Sequence, residues 1–323
     1  MKRRHSIWFI ALCTVLCAPV VQAQSWPARP VKLVVSLPAG SSADTVARVL
    51  ATKFQAAFGQ PFVVENRVGA GGNIAADVVA KAAPDGYTLL VSTNAPIATN
   101  KVLYKDLPYD PEKDLEPISL LAGAPQVLVV HPSVPAKTLR EFIAYVRSHP
   151  GKLSYGSAGS GSAAHLSMEL LKFDQKVSLV HIPYRGIPQS VNDVLGGVTQ
   201  ATFGIAPGVV PHVKTGRLRA LAVTSLKRID AAPEIPSVAE LGFPQFEALA
   251  WIGLLAPANT SPEIVSRLNQ QVQKALDTPE VANALQAQGF QVLNGSTTEF
   301  RNFQKKEIAK WGQVIRVSGA KPD

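Results

Sequence analysis

The chain has 323 residues, 46% hydrophobic, 17% charged and 7% aromatic, with 25 Pro, 23 Gly and only 2 Cys. That excludes a disordered chain, a collagen-like repeat and a disulfide scaffold, and the length allows two domains, each with its own core. The formal charge is +9, but beyond the N-terminus there is no Lys/Arg run and no basic helix interleaved with aromatics. Nucleic acid is therefore not expected, and a small acidic ligand suits the charge better.

Lys2, Arg3 and Arg4 precede an apolar run at 7–21, and Val21-Gln22-Ala23 places small residues where a signal peptidase reads. Cleavage is expected after Ala23, so a signal peptide occupies 1–23. Losing 23 residues and three basic charges from 323 and +9 leaves 300 and +6. Cys13 and Cys17 both fall in that segment, and Leu16 stands before Cys17 where lipidation wants a small residue. The expected product is a soluble, thiol-free protein of a bacterial periplasm, since no later stretch has the length of a spanning helix.

Residues 31–36 are a continuous β-branched apolar run ended by Leu37-Pro38-Ala39-Gly40. A strand apolar on both faces must be covered on both, which points to a parallel sheet. Ser41, Ser42 and Asp44 then offer caps for a helix with Val46, Val49, Leu50, Phe54 and Phe58 at helical spacing, stopped by Gly59. The unit repeats as a strand at 61–65, a glycine turn at 69–72, a helix at 73–83 and a strand at 87–92. Residues 94–117, rich in Pro, Asp and Lys, are expected to be irregular.

A second run has the same grammar: strand 126–131, helix 138–148, strand 153–156, helix 162–172, strand 178–183, helix 188–195, and strands 200–204 and 218–224. After the Pro-rich stretch 232–244, a strand at 248–256 leads to amphipathic helices at 262–276, 279–288 and 297–317. These three have no sheet of their own and are expected to pack back on the first lobe. Lobe 1 is then discontinuous, 24–124 with 249–323, and lobe 2 is 125–248. The expected fold is α/β, two lobes on a hinge, with a ligand cleft where strands end and helices begin.

The densest motif is Gly156-Ser157-Ala158-Gly159-Ser160-Gly161-Ser162-Ala163-Ala164-His165, between a predicted strand and a predicted helix. Backbone N–H groups there lie at the positive end of a helix and can cradle an anion; a plain flexible loop is the alternative. Gly159-x-Gly161-x-x-Ala164 has dinucleotide-fingerprint spacing, but the next strand ends in Ile182-Pro183-Tyr184, with no acid for a ribose. Candidate contacts from this loop are Ser157, Ala158, Gly159, Gly161, Ser162 and, in a supporting place, His165. Pro38, Ala39, Gly40, Ser41 and Ser42 occupy the equivalent turn in lobe 1. Asp44 there suits a cap or a water better than an anion, because like charges repel. Ser92 ends the third strand, Tyr184 either lines the cleft or packs locally, and Asp193 either binds an amine or caps its neighbourhood.

No HExxH, paired CxxC, GxSxG or Walker motif occurs, and His131, His149, His165, His181 and His212 show no ligand spacing. No catalytic residue, metal or cofactor is expected.

The segments Trp26-Pro27-Ala28-Arg29-Pro30-Val31, Pro38-Ala39-Gly40 with Asp44, Val64-Glu65-Asn66-Arg67-Val68-Gly69-Ala70-Gly71-Gly72 and Pro84-Asp85-Gly86-Tyr87 resemble the tripartite tricarboxylate transporter substrate-binding proteins, or Bug receptors. So do 156–166, Tyr184-Arg185-Gly186 with Asp193, and Trp251-Ile252-Gly253-Leu254. The resemblance spans nearly all of the chain after the signal. It implies a type II periplasmic binding fold without enzymatic activity, a small organic acid as ligand, and delivery to one large and one small integral membrane subunit. It also implies that carboxylates are held by main-chain N–H groups, hydroxyls and waters of the loops 38–42 and 157–162. A monomer is expected. Two positions depart from the family's pattern: Ser41 and Ala75 stand where glycine is usual. A secreted hydrolase on a similar fold, or a sensing co-receptor with no permease, remain the alternative readings.

Overall fold

A computed structural model describes residues 26–322; the expected signal segment and both cysteines lie outside the described residues. The apolar strand β1 (Val31–Val35) is flanked by parallel neighbours β2 (Phe62–Asn66) and β3 (Thr88–Thr93). Between β1 and β2 runs α1 (Ser42–Phe58), started by Ser41, whose Oγ accepts from Asp44 N, and ended by Gly59 at φ +70°. The chain returns to β3 through α2 (Asn73–Ala80).

The stretch expected to be irregular is so at 104–114 but regular at both ends. A π-helical turn at Ala95–Thr99 runs into the short α3 (Asn100–Leu103), and β4 already begins at Leu115 and continues to Val130. Proline hid both elements. Pro96 stands in a first turn, where its missing N–H has no partner to lose, and Pro117 adjoins a register shift that absorbs it.

β4 is the strand that organises the sheet. From Leu115 to Pro125 it pairs antiparallel with β9 (Leu249–Pro257), whose other edge pairs with β3. From Gln126 to Val130 it pairs antiparallel with β7 (Ala201–Ile205), and from Val127 also with β8 (Arg219–Val223). β5 (Ser154–Ser157) lies parallel to β7 and to the edge strand β6 (Val180–Pro183). The path is β2-β1-β3-β9-β4-β7-β5-β6, so the sheet is mixed, parallel within each run and antiparallel at its middle.

Helices α4 (Leu139–Ser148), α5 (Ala163–Gln175), α6 (Ile187–Leu195) and α7 (Ala206–Lys214) cover the second half. α7 falls between the strands expected at 200–204 and 218–224, where no helix is predicted. Pro207 falls in its first turn, and burial of Val209 and Val210 offsets the interior Pro211. Each face of each half has its own apolar cluster, centred on Leu33 and Leu50, on Val34 and Leu90, on Leu128 and Tyr155, and on Val127 and Val194.

α8 (Pro262–Leu276) and α9 (Pro279–Ala287) pack against the α1 face of the first half, followed by a two-residue strand, β10 (Gln291–Val292), on β4. The last helix, α10 (Thr297–Ser318), departs from the expectation that all three stay with lobe 1. Phe300 packs in the first half beside Trp251, whereas Trp311, Val314 and Ile315 belong to the Leu128–Tyr155 cluster of the second. The buried Glu307 joins the two ends, accepting from Trp251 Nε1 at 2.9 Å and Trp311 Nε1 at 2.8 Å. At 22 residues α10 spans about 33 Å, long enough to reach both cores. Among the described residues no helix is long and apolar enough to cross a membrane.

Thr224 fixes the place where both shared strands cross. Its hydroxyl accepts from Gln126 N at 2.8 Å and donates to Ala248 O at 2.5 Å, while its backbone bonds both strands again. Thr224→Val keeps the volume and strands two buried backbone groups, so a loss of about 1–3 kcal/mol is expected. Urea unfolding measures it, and an unchanged midpoint would show that the hydroxyl does not hold the crossing.

Candidate functional site

Two strand-to-helix turns, one from each half, bring unpaired amides to helix N-termini. In the first, Ser41 N bonds Pro38 O, Gly40 N donates to Asp44 Oδ2 at 2.9 Å, and Asp44 N takes the Ser41 hydroxyl. The amides of Ala39, Ser42 and Ala43 have no partner among the described residues. Pro38, Ala39 and Gly40 are exposed, and Ser41 and Ser42 half-buried.

Asp44 is buried and serves the loop itself. Arg48 grips it with Nε and Nη2 at 2.9 and 3.0 Å, Asn66 Nδ2 donates at 2.9 Å, and Gly40 N completes the set. Burial acts to raise its pKa, but the bonds from Arg48, Gly40 and Asn66 together outweigh burial and hold the carboxyl below its ordinary value. The expectation of a cap is thus modified: Ser41 caps α1, and Asp44 is a charged strut with no lone pair left facing a ligand. Ser92 is likewise buried, its Oγ donating to Ser36 Oγ at 3.0 Å.

In the second turn, Gly159 N donates to Ser157 Oγ at 3.1 Å, Ser162 N to Gly159 O, and His165 N to Ser162 Oγ. Gly161 N donates to His165 Nδ1 at 3.0 Å, which removes it from the amides expected to bind an anion. Ala164 N has the side-chain oxygen of Gln126 at 3.2 Å, in the amide orientation its neighbours require. Ala158 and Ala163 are left with no amide partner among the described residues. Ser157, Gly159, Gly161 and His165 are buried, and Ala158 and Ser162 half-buried.

Ser157 Oγ lies 2.7 Å from His181 Nε2, a serine–imidazole pair that the sequence did not suggest. The serine is fully buried and its oxygen also bonds the N–H and C=O of Gly159. The hydroxyl therefore shapes the loop from inside. Tyr184 and Asp193 meet directly, OH to Oδ2 at 2.5 Å; burial first, and the Asp193 carboxylate second, push the phenol up to about 12. Tyr184 N bonds Ser157 O, and its ring lies 3.0 Å from where a Cβ on Gly156 would stand.

The two turns are linked by residues that sequence reasoning missed. Thr99 Oγ1 donates to Gly161 O at 3.1 Å, Asn100 Nδ2 to Asn73 Oδ1 at 2.7 Å, and Gly72 abuts Ser36 and Pro96 so closely that a Cβ would lie 3.1 and 3.0 Å away. They lie in the segment 94–117, expected to be irregular, or at the glycine turn 69–72. The signal that was available is Asn73, a short polar residue opening α2. A depression of about 440 Å³ between Lys101, Tyr104, Lys105 and Tyr109 lies outside this cluster. Its Lys101 is already paired with Asp110 and Glu112 at 2.7 and 2.5 Å, so the helix ends form the better candidate. No group of three metal-ligating side chains occurs among the described residues.

Residues 46–320 match the family described as tripartite tricarboxylate transporter family receptor. Protein BugT of Bordetella pertussis is 40% identical over 322 residues, covering 99% of each chain. An R. palustris protein whose structure is described with adipate is 36% identical with a TM-score of 0.82, covering 92% of this chain and 100% of its own. MatC from Rhodopseudomonas palustris with bound malate is 34% identical at 0.80, covering 90% and 99%, and periplasmic binding protein BugD is 32% identical at 0.79, covering 92% and 100%. The two-lobed α/β fold is that of these solute-binding proteins.

Asp44 gives a pH test. Its folded pKa is depressed, so its stabilisation is complete above the unfolded value of about 3.9 and disappears as pH falls through the folded one. Wild type should exceed Asp44→Asn by about 1–3 kcal/mol near neutrality, and the gap should close in acid. Thermal unfolding at about pH 7 and pH 3 compares them, and an equal gap at both would contradict a charged strut.

Proposed function

The chain belongs to the tripartite tricarboxylate transporter receptor family, and we propose that it is a periplasmic receptor that captures a small carboxylate between its lobes. In this reading it performs no chemistry, acts as a monomer and hands the acid to a transporter with a large and a small membrane subunit. The carrying observation is the pair of helix starts, with Ala39, Ser42 and Ala43 on one side and Ala158 and Ala163 on the other offering N–H groups that have no partner among the described residues. Unpaired donors at the positive end of a helix suit a carboxylate, and no metal or cationic side chain is needed to hold it. The adipate and malate in two related structures support the ligand class.

Capture works by closure. β4 changes partner between Pro125, paired with Leu249, and Gln126, paired with Ile205, so lobe 1 (expected as 24–124 and 249–323, of which the end of α10 packs on the other core) and lobe 2 (125–248) meet where the strand changes partner. Bending there lets two rigid sheets approach each other. The hydrolase alternative is disfavoured by the burial of Ser157.

Proline offers a clean test of the amides. Ser42 and Ala163 are the first residues of α1 and α5, and the preceding Ser41 and Ser162 are extended, with ψ 166° and 157°. Proline is accepted at such a position and removes the N–H, and at 42 the serine hydroxyl as well, for which Ser42→Ala is the control. Ser42→Pro and Ala163→Pro should each unfold near the wild-type temperature yet bind ten- to a hundred-fold more weakly, the loss for roughly one charge-assisted bond of 1.5–3 kcal/mol. A thermal-shift panel of C4 to C6 dicarboxylates, aromatic acids, acidic amino acids, sugars and polyamines identifies the ligand, and calorimetry then compares the variants. Hits confined to sugars or polyamines, or full affinity in both variants, would remove this reading.

A further inference from the structure

We propose that His165 is a positioning residue: its neutral imidazole holds the loop 157–162 in the shape that presents the Ala158 and Ala163 amides, and protonation of the ring releases that loop. The proposal deepens the carboxylate reading and rests on it for the meaning of those two amides, though not for the behaviour of the loop.

The peptide of Gly161 is held from three directions. Its N–H donates to His165 Nδ1 at 3.0 Å, its C=O accepts from Thr99 Oγ1 at 3.1 Å, and a Cβ in its place would stand 2.7 Å from Asn100 Oδ1. Its φ of +78° is left-handed, which glycine adopts freely. With Gly161 clamped, the direction of the following Ser162 and Ala163 is set, and with it the start of α5. An Nδ1 that accepts a hydrogen bond carries no proton, so the neutral ring has its hydrogen on Nε2. Adding a proton at Nδ1 turns the acceptor into a donor facing a donor. The buried Gly161 N–H then has no partner, and the loop must move to find one.

The surroundings make His165 a scaffold rather than a surface ring. It is 2% exposed and stacks on His181 of β6 at 4.1 Å, which in turn stacks on Tyr155 of β5 at 5.0 Å. His181 Nε2 meets Ser157 Oγ, so the two stacked imidazoles hold opposite ends of one loop. From α5 itself Glu169 takes the Tyr155 hydroxyl at 2.6 Å and Lys172 at 2.5 Å, so the acid beside the stack is already balanced. From the opposite side Thr99 and Asn100 present only neutral groups. Charging both rings would place two cations face to face.

The test follows backbone amides in the ligand-free protein by nitrogen-15 NMR from about pH 8 to pH 5, a range that spans ordinary histidine titration. The Gly161 and Ala163 amides should shift with the midpoint shown by the His165 ring carbons, not by those of His181. In His165→Asn, whose amide can accept at the Nδ1 position without titrating, both amides should stay still. Amides that ignore pH in wild type, or move equally in His165→Asn, overturn the proposal, and the wild-type titration decides it even where a variant does not fold. Adipate calorimetry adds the functional readout: wild type should weaken by roughly tenfold or more from pH 8 to 5.5 relative to His165→Asn, protonation of adipate being common to both. Equal pH dependence in the two proteins overturns the link to binding. Absence of adipate binding at every pH, with the amides still responding, counts against the ligand class and leaves the positioning role standing.

Discussion

One backbone has to serve both halves of this molecule. β4 runs for 16 residues and pairs first with β9 and then with β7 and β8. Because its hydrogen bonds are shared out along its length, neither half can form its central ladder without the strand that completes the other. Thr224 adds a fixed point at the crossing, tying Gln126 of β4 to Ala248 at the start of β9. The consequence is positional. Strands β1, β3 and β5 all deliver their chains to helices near that shared strand, and Thr99 of one half comes within hydrogen-bond reach of Gly161 of the other.

At that junction the polar side chains decide which amides remain available. A helix start leaves its first N–H groups without intrahelical partners. Ser41 and Ser162 each take the third amide of their helix, and His165 takes Gly161. What is left on each side is a small set at the first turn, and it is left because serine is short and reaches only one donor. A longer or more acidic side chain at the same place would close the cradle. Serine at 41, where the family usually has glycine, leaves the same amides open while adding a hydroxyl already occupied by Asp44 N.

Much of the fold was legible because each run alternates apolar strands and amphipathic helices with short polar turns, so that β1 through α2 and α4 through α6 fall where periodicity puts them. Legibility failed where proline served a local role the pattern cannot show. Pro96 in a first turn and Pro117 beside a register shift give the segment 94–117 an irregular look that conceals the π-helical turn and the first half of β4. The two loops themselves were legible, since a glycine-rich segment between an apolar strand and an amphipathic helix marks a strand-to-helix turn. The division of labour within the loops was not. Whether Gly161 N points at a ligand or at His165 depends on a side chain four residues on, whose rotamer the sequence does not display. Nor does it display that α10 leaves the first core for the second, because its apolar stripe fits either; the shared Glu307 between Trp251 and Trp311 exists only once both cores are built.

An acid close to a helix start competes with other anions for the same donors unless its own oxygens are already engaged. Three acids stand beside these loops, and each has a structural partner. Asp44 is gripped twice by Arg48, Asp193 takes the Tyr184 hydroxyl, and Glu169 takes Lys172 and Tyr155. The case of Asp44 is the sharpest, because a carboxylate at the start of α1 competes for the same helix dipole as the ligand. It takes the Gly40 N–H, just ahead of the helix, and leaves Ser42 and Ala43 to others. Arg48 then cancels its charge one turn further on, so the Asp44 carboxylate does not compensate the dipole at the open amides.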